Sequence, residues 1–112
     1  MSRQMPEWCE AEEWCPITVT SELLGRKWHP VIVHRLMQGS MGFNELKREV
    51  HKISDKVLSE SLEDLQQKDI VQKEIVSEKP KKVRYSLTGR GESLRPVVMA
   101  MKDWGTENAD IV

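Results

Sequence analysis

The most constraining feature of this 112-residue sequence is a change of hydrophobic period near its middle. In the stretch ISDKVLSESLEDLQQKDI, Leu58, Leu62 and Leu65 recur at helical spacing, and Ser54 is a good N-cap residue ahead of them. The next stretches, IVQKEIV and VRYSL, alternate as strands do, and SEKPKK lies between them as a turn. The pattern therefore predicts a helix over residues 54–67, followed at once by a β-hairpin with a lysine-rich tip.

Caps and helix breakers mark the remaining helices. Pro is tolerated in the first turn of a helix, and Asn and Thr are good N-cap residues. By these rules, further helices begin at the N-cap Cys15, near His29, at the cap Asn44 and at the cap Thr88. Pro96 lies inside the last of them and should bend it or delay its regular part. We therefore expect a mostly α fold with a small β-hairpin wing (α+β), arranged as a winged helix-turn-helix.

Length and composition bound the class of protein. A chain of 112 residues with 38% hydrophobic and 31% charged residues suits one soluble globular domain. No apolar run approaches the roughly 18 residues of a membrane helix, and the N-terminus lacks the apolar stretch of a signal peptide. We therefore expect a cytoplasmic protein with no membrane partner. No Ser/His/Asp set, Gly-rich phosphate loop or pair of carboxylates indicates an enzyme, so we expect neither catalysis nor a cofactor.

The distribution of charge is more informative than the net charge of −1. Residues 26–60 carry a net charge of +3 and residues 79–95 carry +5, whereas the segments between and around them are acidic. A fold that brought both basic blocks to one face would create a positive patch suited to nucleic acid. The alternative is ordinary solvated surface charge.

Four stretches, CPITVTSELLGRKW, FNELKREVHKIS, LSESLEDLQQKDIV and VRYSLTGRGESLRPVV followed by DWG, resemble the HxlR-type transcriptional regulators in order and spacing. The resemblance covers residues 15–105, so that residues 1–14 form an N-terminal arm and residues 106–112 a C-terminal tail. It implies a winged helix-turn-helix protein that binds double-stranded operator DNA as a homodimer, with dimerisation helices at both ends of the domain.

The resemblance makes residues 54–67 the recognition helix and residues 77–84 the wing. Lys56 can donate to guanine or to phosphate, and Glu60 can accept from a cytosine amino group. Basic residues beside the helix and in the wing would contact phosphates or a minor groove. The candidate DNA-binding residues are Lys47, Arg48, Lys52, Ser54, Asp55, Lys56, Ser59, Glu60, Lys81, Lys82 and Arg84.

One feature of the recognition helix favours a different function. Glu60, Glu63 and Asp64 are all acidic, and carboxylates that face phosphate reduce affinity for DNA. Together with the near-zero net charge, they favour the alternative of a winged-helix module that contacts proteins and has no operator.

An apolar stripe near the C-terminus predicts the dimer interface. The stripe is wider than the wing needs to cover, and an unmatched apolar face on a small domain usually meets a partner. Two-fold symmetry would place the recognition helices roughly 34 Å apart and predicts a palindromic operator. The alternative is a core helix within one chain. The stripe comprises Leu94, Val97, Val98, Met101 and Trp104.

The two cysteines are candidates for redox sensing. Cys15 at a helix N-terminus would feel the positive end of the dipole, which favours the thiolate, while Glu12 and Glu13 oppose it. Several regulators that resemble this chain sense oxidants or electrophiles through a cysteine just before the proline of the first helix, which is the position of Cys15. Cys9 would then be a resolving partner, and the effector an oxidant or small molecule. The alternative is that Cys15 is a buried core residue.

A metal site has little support in the sequence. Cys9 and Cys15 are six residues apart rather than two to four, and His29, His34 and His51 form no pair with ligand spacing. We expect no metal. The histidines are interpreted as surface or core residues, and His29 and His51 as able to reach phosphate.

Overall fold

The computed structural model describes residues 15–112, so the predictions for the arm and for Cys9 lie outside the described residues. It confirms a mostly helical fold with a two-stranded antiparallel hairpin. No helix among these residues has the length and apolar character needed to cross a membrane. The elements are α1 (Pro16–Leu24), α2 (His29–Leu36), α3 (Phe43–Glu49), α4 (Asp55–Gln67), β1 (Val71–Glu78), β2 (Lys81–Leu87), α5 (Gly89–Glu92), α6 (Arg95–Glu107) and a 3-10 turn (Ala109–Ile111).

The core lies where α2, α3 and α4 meet the base of the hairpin. Leu58, Leu62 and Leu65, the predicted stripe of α4, are at most 1% exposed and pack against Ile32 of α2 and Leu46 of α3. Full burial of a leucine side chain contributes roughly 1.5–3 kcal/mol relative to its exposure. The inward face of α4 is therefore fixed, and its opposite face is left to solvent.

The caps show where local patterns succeed and where one of them fails. Cys15 and Ser54 are N-caps as predicted, and the Ser54 Oγ accepts from the Val57 amide at 3.1 Å. The predicted cap Asn44 is wrong: α3 begins at Phe43, its N-cap is Gly42, and Asn44 lies inside the first turn. The Glu45 carboxylate accepts from the Gly42 amide at 3.1 Å, and this bond starts the helix earlier than an asparagine cap would.

The hairpin is held at its base by the rest of the domain. β1 and β2 pair from Val71↔Leu87 to Glu78↔Lys81, with an irregularity between Ile75 and Ser77. Tyr85 and Leu87 are buried, as the alternation predicts. Met41 forms a bridge to Tyr85 through backbone bonds of 2.9 and 2.7 Å, which joins the segment before α3 to the wing.

The predicted last helix is divided in two. Thr88 caps α5, accepting from the Gly91 amide at 3.0 Å, and α5 ends after a single turn. The long helix α6 begins at Arg95 with Pro96 in its first turn, so the proline delays the regular part as predicted. Helix α6 then continues to Glu107, two residues past the predicted domain boundary at residue 105.

Candidate nucleic-acid interface

The N-terminal half of α4 presents polar side chains to solvent. Ser54, Asp55, Lys56, Ser59 and Glu60 are all exposed, while the leucines of the same helix hold it against the core. An exposed polar face on a rigidly packed helix has the form that major-groove recognition requires.

Helix α3 lies between α4 and the wing. The Lys47 Nζ approaches Asp55 Oδ1, at the start of α4, to 2.6 Å. The adjacent residue Arg48 lines a groove together with Lys81, Lys82 and Arg84 of β2. We call these four residues the basic groove: Arg48, Lys81, Lys82 and Arg84. The two positively charged blocks of the sequence therefore meet at α3.

The lysines and arginines of this surface differ in whether they form ion pairs within the chain. Within residues 15–112, no ion pair involves Arg48, Lys52, Lys56, Lys81 or Lys82, and all five are exposed. Their charges are therefore available to phosphate. Lys52 lies in the turn between α3 and α4 and has a left-handed backbone with φ of 69°.

Arg84 instead forms hydrogen bonds and an ion pair within the chain. Its Nε donates to Ser40 Oγ at 2.9 Å, one terminal nitrogen donates to the Ser40 carbonyl at 2.6 Å, and the same nitrogen lies 3.4 Å from Glu45 Oε1. These bonds occupy most of its guanidinium fork. Arg84 therefore holds the wing against the segment before α3, a role that the sequence pattern did not indicate.

One of the four acidic residues of α4, Asp64, is turned away from the exposed face. His29 Nε2 lies 2.8 Å from Asp64 Oδ2, and Lys68 Nζ lies 2.7 Å from the same oxygen. The hydrogen bond from Lys68, and then that from His29, lower the pKa of the Asp64 carboxyl. His29 is only 2% exposed, so the expectation that it reaches phosphate is wrong: its ring packs inside the domain and orients Asp64. Glu60 and Glu63 remain exposed.

The residues of the predicted dimer stripe divide between the core and the solvent-exposed surface. Val98 is 3% exposed and belongs to the core, and Leu94 packs against the core, so neither presents a large surface to a partner. Val97, Met101 and Trp104 are 37%, 43% and 60% exposed and form the outward apolar face of α6. We call these three residues the α6 apolar face.

The sequence interpretation missed two apolar residues of α1. Ile17 and Val19 are 60% and 55% exposed. The signal was present in PITVTSELL, because one core-facing stripe of a nine-residue helix cannot contain Ile17, Val19, Leu23 and Leu24 together.

Cys15 lies at the start of the described chain. It is 7% exposed and is the N-cap of α1, with its carbonyl accepting from the Val19 amide at 2.9 Å. Burial opposes the thiolate, while the N-terminal end of α1 favours it. Among residues 15–112, no group of three or more His, Cys, Asp or Glu side chains is placed to hold a metal ion.

Comparison with known proteins agrees with this geometry. The family model described as HxlR-like helix-turn-helix matches residues 23–111. The HTH-type transcriptional regulator YodB of Bacillus subtilis is 39% identical over 85 residues, which span 76% of each chain. The HTH-type transcriptional regulator YybR of the same organism is 36% identical over 101 residues, or 90% of this chain and 81% of YybR.

Solved structures show the same architecture. The redox regulator HypR in its reduced form superposes with a TM-score of 0.80 at 35% identity, covering 86% of this chain and 95% of HypR. Quinone-bound YodB from B. subtilis gives a TM-score of 0.70 at 33% identity, covering 82% and 96%. At these identities the similarity extends beyond the fold to the family.

Proposed function

The chain belongs to the HxlR-like helix-turn-helix family and is a transcriptional regulator of the helix-turn-helix type rather than an enzyme, and from this premise we propose that it binds double-stranded operator DNA as a homodimer. The observation that carries the proposal is the meeting of both basic blocks around α3, next to the exposed half of α4. A neutral chain thereby presents a locally positive surface that fits the DNA backbone.

In this proposal α4 enters the major groove. Lys56, Ser59 and Glu60 would reach base edges or nearby phosphates, because they are exposed in the first half of the helix. Arg48, Lys81 and Lys82 would contact the phosphate backbone or the minor groove beside it. Asp64 lies against His29 and Lys68, which reduces the number of carboxylates opposed to phosphate.

A homodimer would suit this mode of binding. The α6 apolar face, with Ile17 and Val19 of α1, presents exposed apolar side chains on helices from both ends of the chain. Burying them between two copies would remove apolar surface from water and place two α4 helices on one DNA duplex. We therefore infer a two-fold symmetric dimer and a palindromic operator.

Selection from a random duplex library tests the proposal. We expect enrichment of an inverted repeat whose half-sites are about one helical turn apart. Binding to that repeat should weaken with salt, with a log–log slope of about −0.9 per phosphate contact, and Lys82→Gln should make the slope shallower by about one contact. Lys73→Gln, an exposed lysine of β1, is the matched control. Absence of enrichment, with a salt-insensitive affinity for DNA, would instead favour the protein-contact module.

We further propose that Cys15 makes the regulator responsive to oxidants. HypR is a redox regulator with structures in reduced and oxidised forms, and YodB has structures of diamide-treated and quinone-bound forms. In the proposed step, the thiols of Cys15 and a second cysteine form a disulfide, and the oxidant takes up two electrons and two protons. Cys9 of the same or the other subunit is the proposed second thiol.

Diamide treatment distinguishes the proposed roles of the two cysteines. We expect diamide to change the affinity of the wild-type protein for its operator, and Cys15→Ser to abolish this change while leaving the affinity of the reduced protein intact. Cys9→Ser should abolish disulfide formation but retain reaction of Cys15 with a quinone. A diamide response that persists in Cys15→Ser would disprove the sensor assignment without affecting the DNA-binding proposal.

A further inference from the structure

A cleft between α2 and α6 is not used by the proposed DNA interface. Its volume is about 380 Å³, within the size range of small-molecule sites in proteins. None of its lining residues belongs to α4 or to the basic groove, and one of them, Met101, also contributes to the edge of the α6 apolar face. They are Pro30, Val31, His34 and Arg35 of α2 and Val98, Met101 and Lys102 of α6.

The floor of the cleft is apolar. Pro30 and Val31 line it on one side, and Val98 and Met101 on the other, with Val98 continuous with the core. Apolar walls of this kind favour the body of an aromatic or branched organic molecule over a small hydrated ion.

The rim of the cleft is cationic, and one of its cations is held in place. Arg35 Nε donates to the Glu49 carbonyl at 3.1 Å, and one terminal nitrogen donates to His34 Nδ1 at 2.7 Å. The second terminal nitrogen has no partner among residues 15–112. No carboxylate in that range forms an ion pair with Arg35 or Lys102, so neither charge has a counter-ion within the described part of the chain.

His34 adds a neutral donor to the same rim. Burial, followed by the positive charges of Arg35 and Lys102, lowers the pKa of His34. Because Nδ1 accepts from Arg35, the proton of the neutral ring is assigned to Nε2. The cleft thus combines an apolar floor with three nitrogen groups that can donate to an anion.

We propose that this cleft binds an aromatic carboxylate. The ring would lie against Val31, Val98 and Met101, and the carboxylate would accept from Arg35 and Lys102. A guanidinium whose orientation is already fixed loses little entropy when it binds a carboxylate, and it favours planar anions of this kind. An inorganic anion would leave the apolar floor uncovered, and a cation would meet like charge.

The position of the cleft gives the ligand a route to the DNA-binding surface. Helix α6 carries the α6 apolar face, and α2 holds α4 through the bond between His29 and Asp64. A ligand that contacts both α2 and α6 would bias the angle between them, and with it the separation of the two α4 helices in a dimer. This effect on DNA rests on the proposed function, whereas occupancy of the cleft does not.

Titration of the isotopically labelled full-length protein with naphthalene-2-carboxylate, without DNA, tests the site. We expect amide shift changes centred on His34, Arg35, Met101 and Lys102. The uncharged isostere naphthalene-2-carboxamide should bind at least about tenfold more weakly, because it lacks the charge-assisted bonds. Lys102→Glu should weaken naphthoate binding by about tenfold or more, and Val31→Phe should block it by filling the floor. Lys73→Glu, the same charge change on β1, should bind naphthoate as the wild type does.

Three results would overturn the assignment. The first is equal affinity for the acid and the amide, which would indicate an apolar groove without anion recognition. The second is equal weakening by Lys102→Glu and Lys73→Glu, which would indicate nonspecific charge attraction. The third is the absence of amide shift changes at His34, Arg35, Met101 and Lys102 on addition of naphthoate, which would indicate that the cleft does not bind an aromatic carboxylate. Operator affinity measured separately shows whether the DNA-binding proposal stands in each case.

Discussion

Asp64 is a carboxylate of α4 whose charge is paired within the domain, so it would not repel the phosphates of a DNA molecule bound to the exposed face of the helix. Its partners His29 and Lys68 lie on α2 and just after α4, and both donate to the same carboxylate oxygen. His29 is 35 positions away in the chain, so no local pattern could pair the two. The sequence showed an acidic helix, and only the packing of α2 against α4 shows that the charge of Asp64 is neutralised internally.

The Asp64 interactions predict a pH dependence of stability. The folded state holds the pKa of Asp64 below its ordinary value of 3.8, so the unfolded chain takes up the proton first as the pH falls. The stabilisation is therefore complete at neutral pH and is lost as the pH falls through and below about 4. We expect Asp64→Asn to be less stable at pH 7 and to show a smaller loss between pH 6 and pH 3, measured by urea denaturation. Glu63→Gln should retain the wild-type pH dependence, and a wild-type profile in Asp64→Asn would contradict the assignment.

Gly91 marks a close approach of α5 to Ile70, the residue just before β1. A Cβ at this position would lie 2.2 Å from the Ile70 carbonyl oxygen, whereas a Cβ at Gly105 would meet no atom within 4 Å. We expect Gly91→Ala to lower the free energy of unfolding by about 1–3 kcal/mol through overpacking. Gly105→Ala, in the last turn of α6, should raise it by roughly 0.4–1 kcal/mol. Thermal denaturation of the two variants measures the contrast, and equal effects would refute it.

Among the elements, α4 and the hairpin are the ones that local sequence describes well. The leucine spacing, the Ser54 cap and the strand alternation are each complete within a few residues, and all three agree with the structure. The start of α3 was predicted incorrectly because Glu45 reaches back to Gly42 and competes with Asn44 as the source of the cap. Helix boundaries depend on such short-range competition, which a list of favourable caps does not resolve.

Capping by Ser54 predicts that two serines contribute differently to stability: Ser54, the N-cap of α4, and Ser59, within α4. Ser54 Oγ accepts from the Val57 amide, while Ser59 is exposed within the helix. We expect Ser54→Ala to lower the free energy of unfolding by about 1 kcal/mol. Ser59→Ala should leave it unchanged or raise it slightly, because Ala is the better helix former. Denaturant unfolding compares the two, and similar values for both variants would show that the cap contributes little.

Only part of the candidate site could be predicted from the sequence, and the reason is physical. Exposed lysines at a hairpin tip and polar residues on a helix follow from periodicity. The binding of Arg84 to Ser40, and the cleft between α2 and α6, depend on contacts 44 or more residues apart in the chain. The division of the C-terminal stripe into a buried Val98 and an exposed Trp104 likewise depends on how α6 meets α2.

For the whole molecule, the central prediction is a dimer held by α6. Trp104 is 60% exposed and is the largest side chain of the α6 apolar face. We expect Trp104→Glu to convert a dimer into a folded monomer, because it places charge in an apolar interface. Light scattering after size-exclusion chromatography measures the mass. Ile75→Glu, an equally drastic change at an exposed apolar residue of β1, should remain dimeric, and a dimeric Trp104→Glu would refute this interface.

The bridge between Met41 and Tyr85 has a consequence for the proposed contact between the wing and DNA. It fixes the hairpin near its base, at Tyr85, while Lys82 and Lys81 lie three and four residues earlier in β2, towards the tip. Amide hydrogens of Met41 and Tyr85 should exchange slowly with deuterium, and those near the tip rapidly. In the proposed complex with DNA, the lysines would then adapt to grooves of differing width, while the anchored base of the hairpin would keep the recognition helix in place.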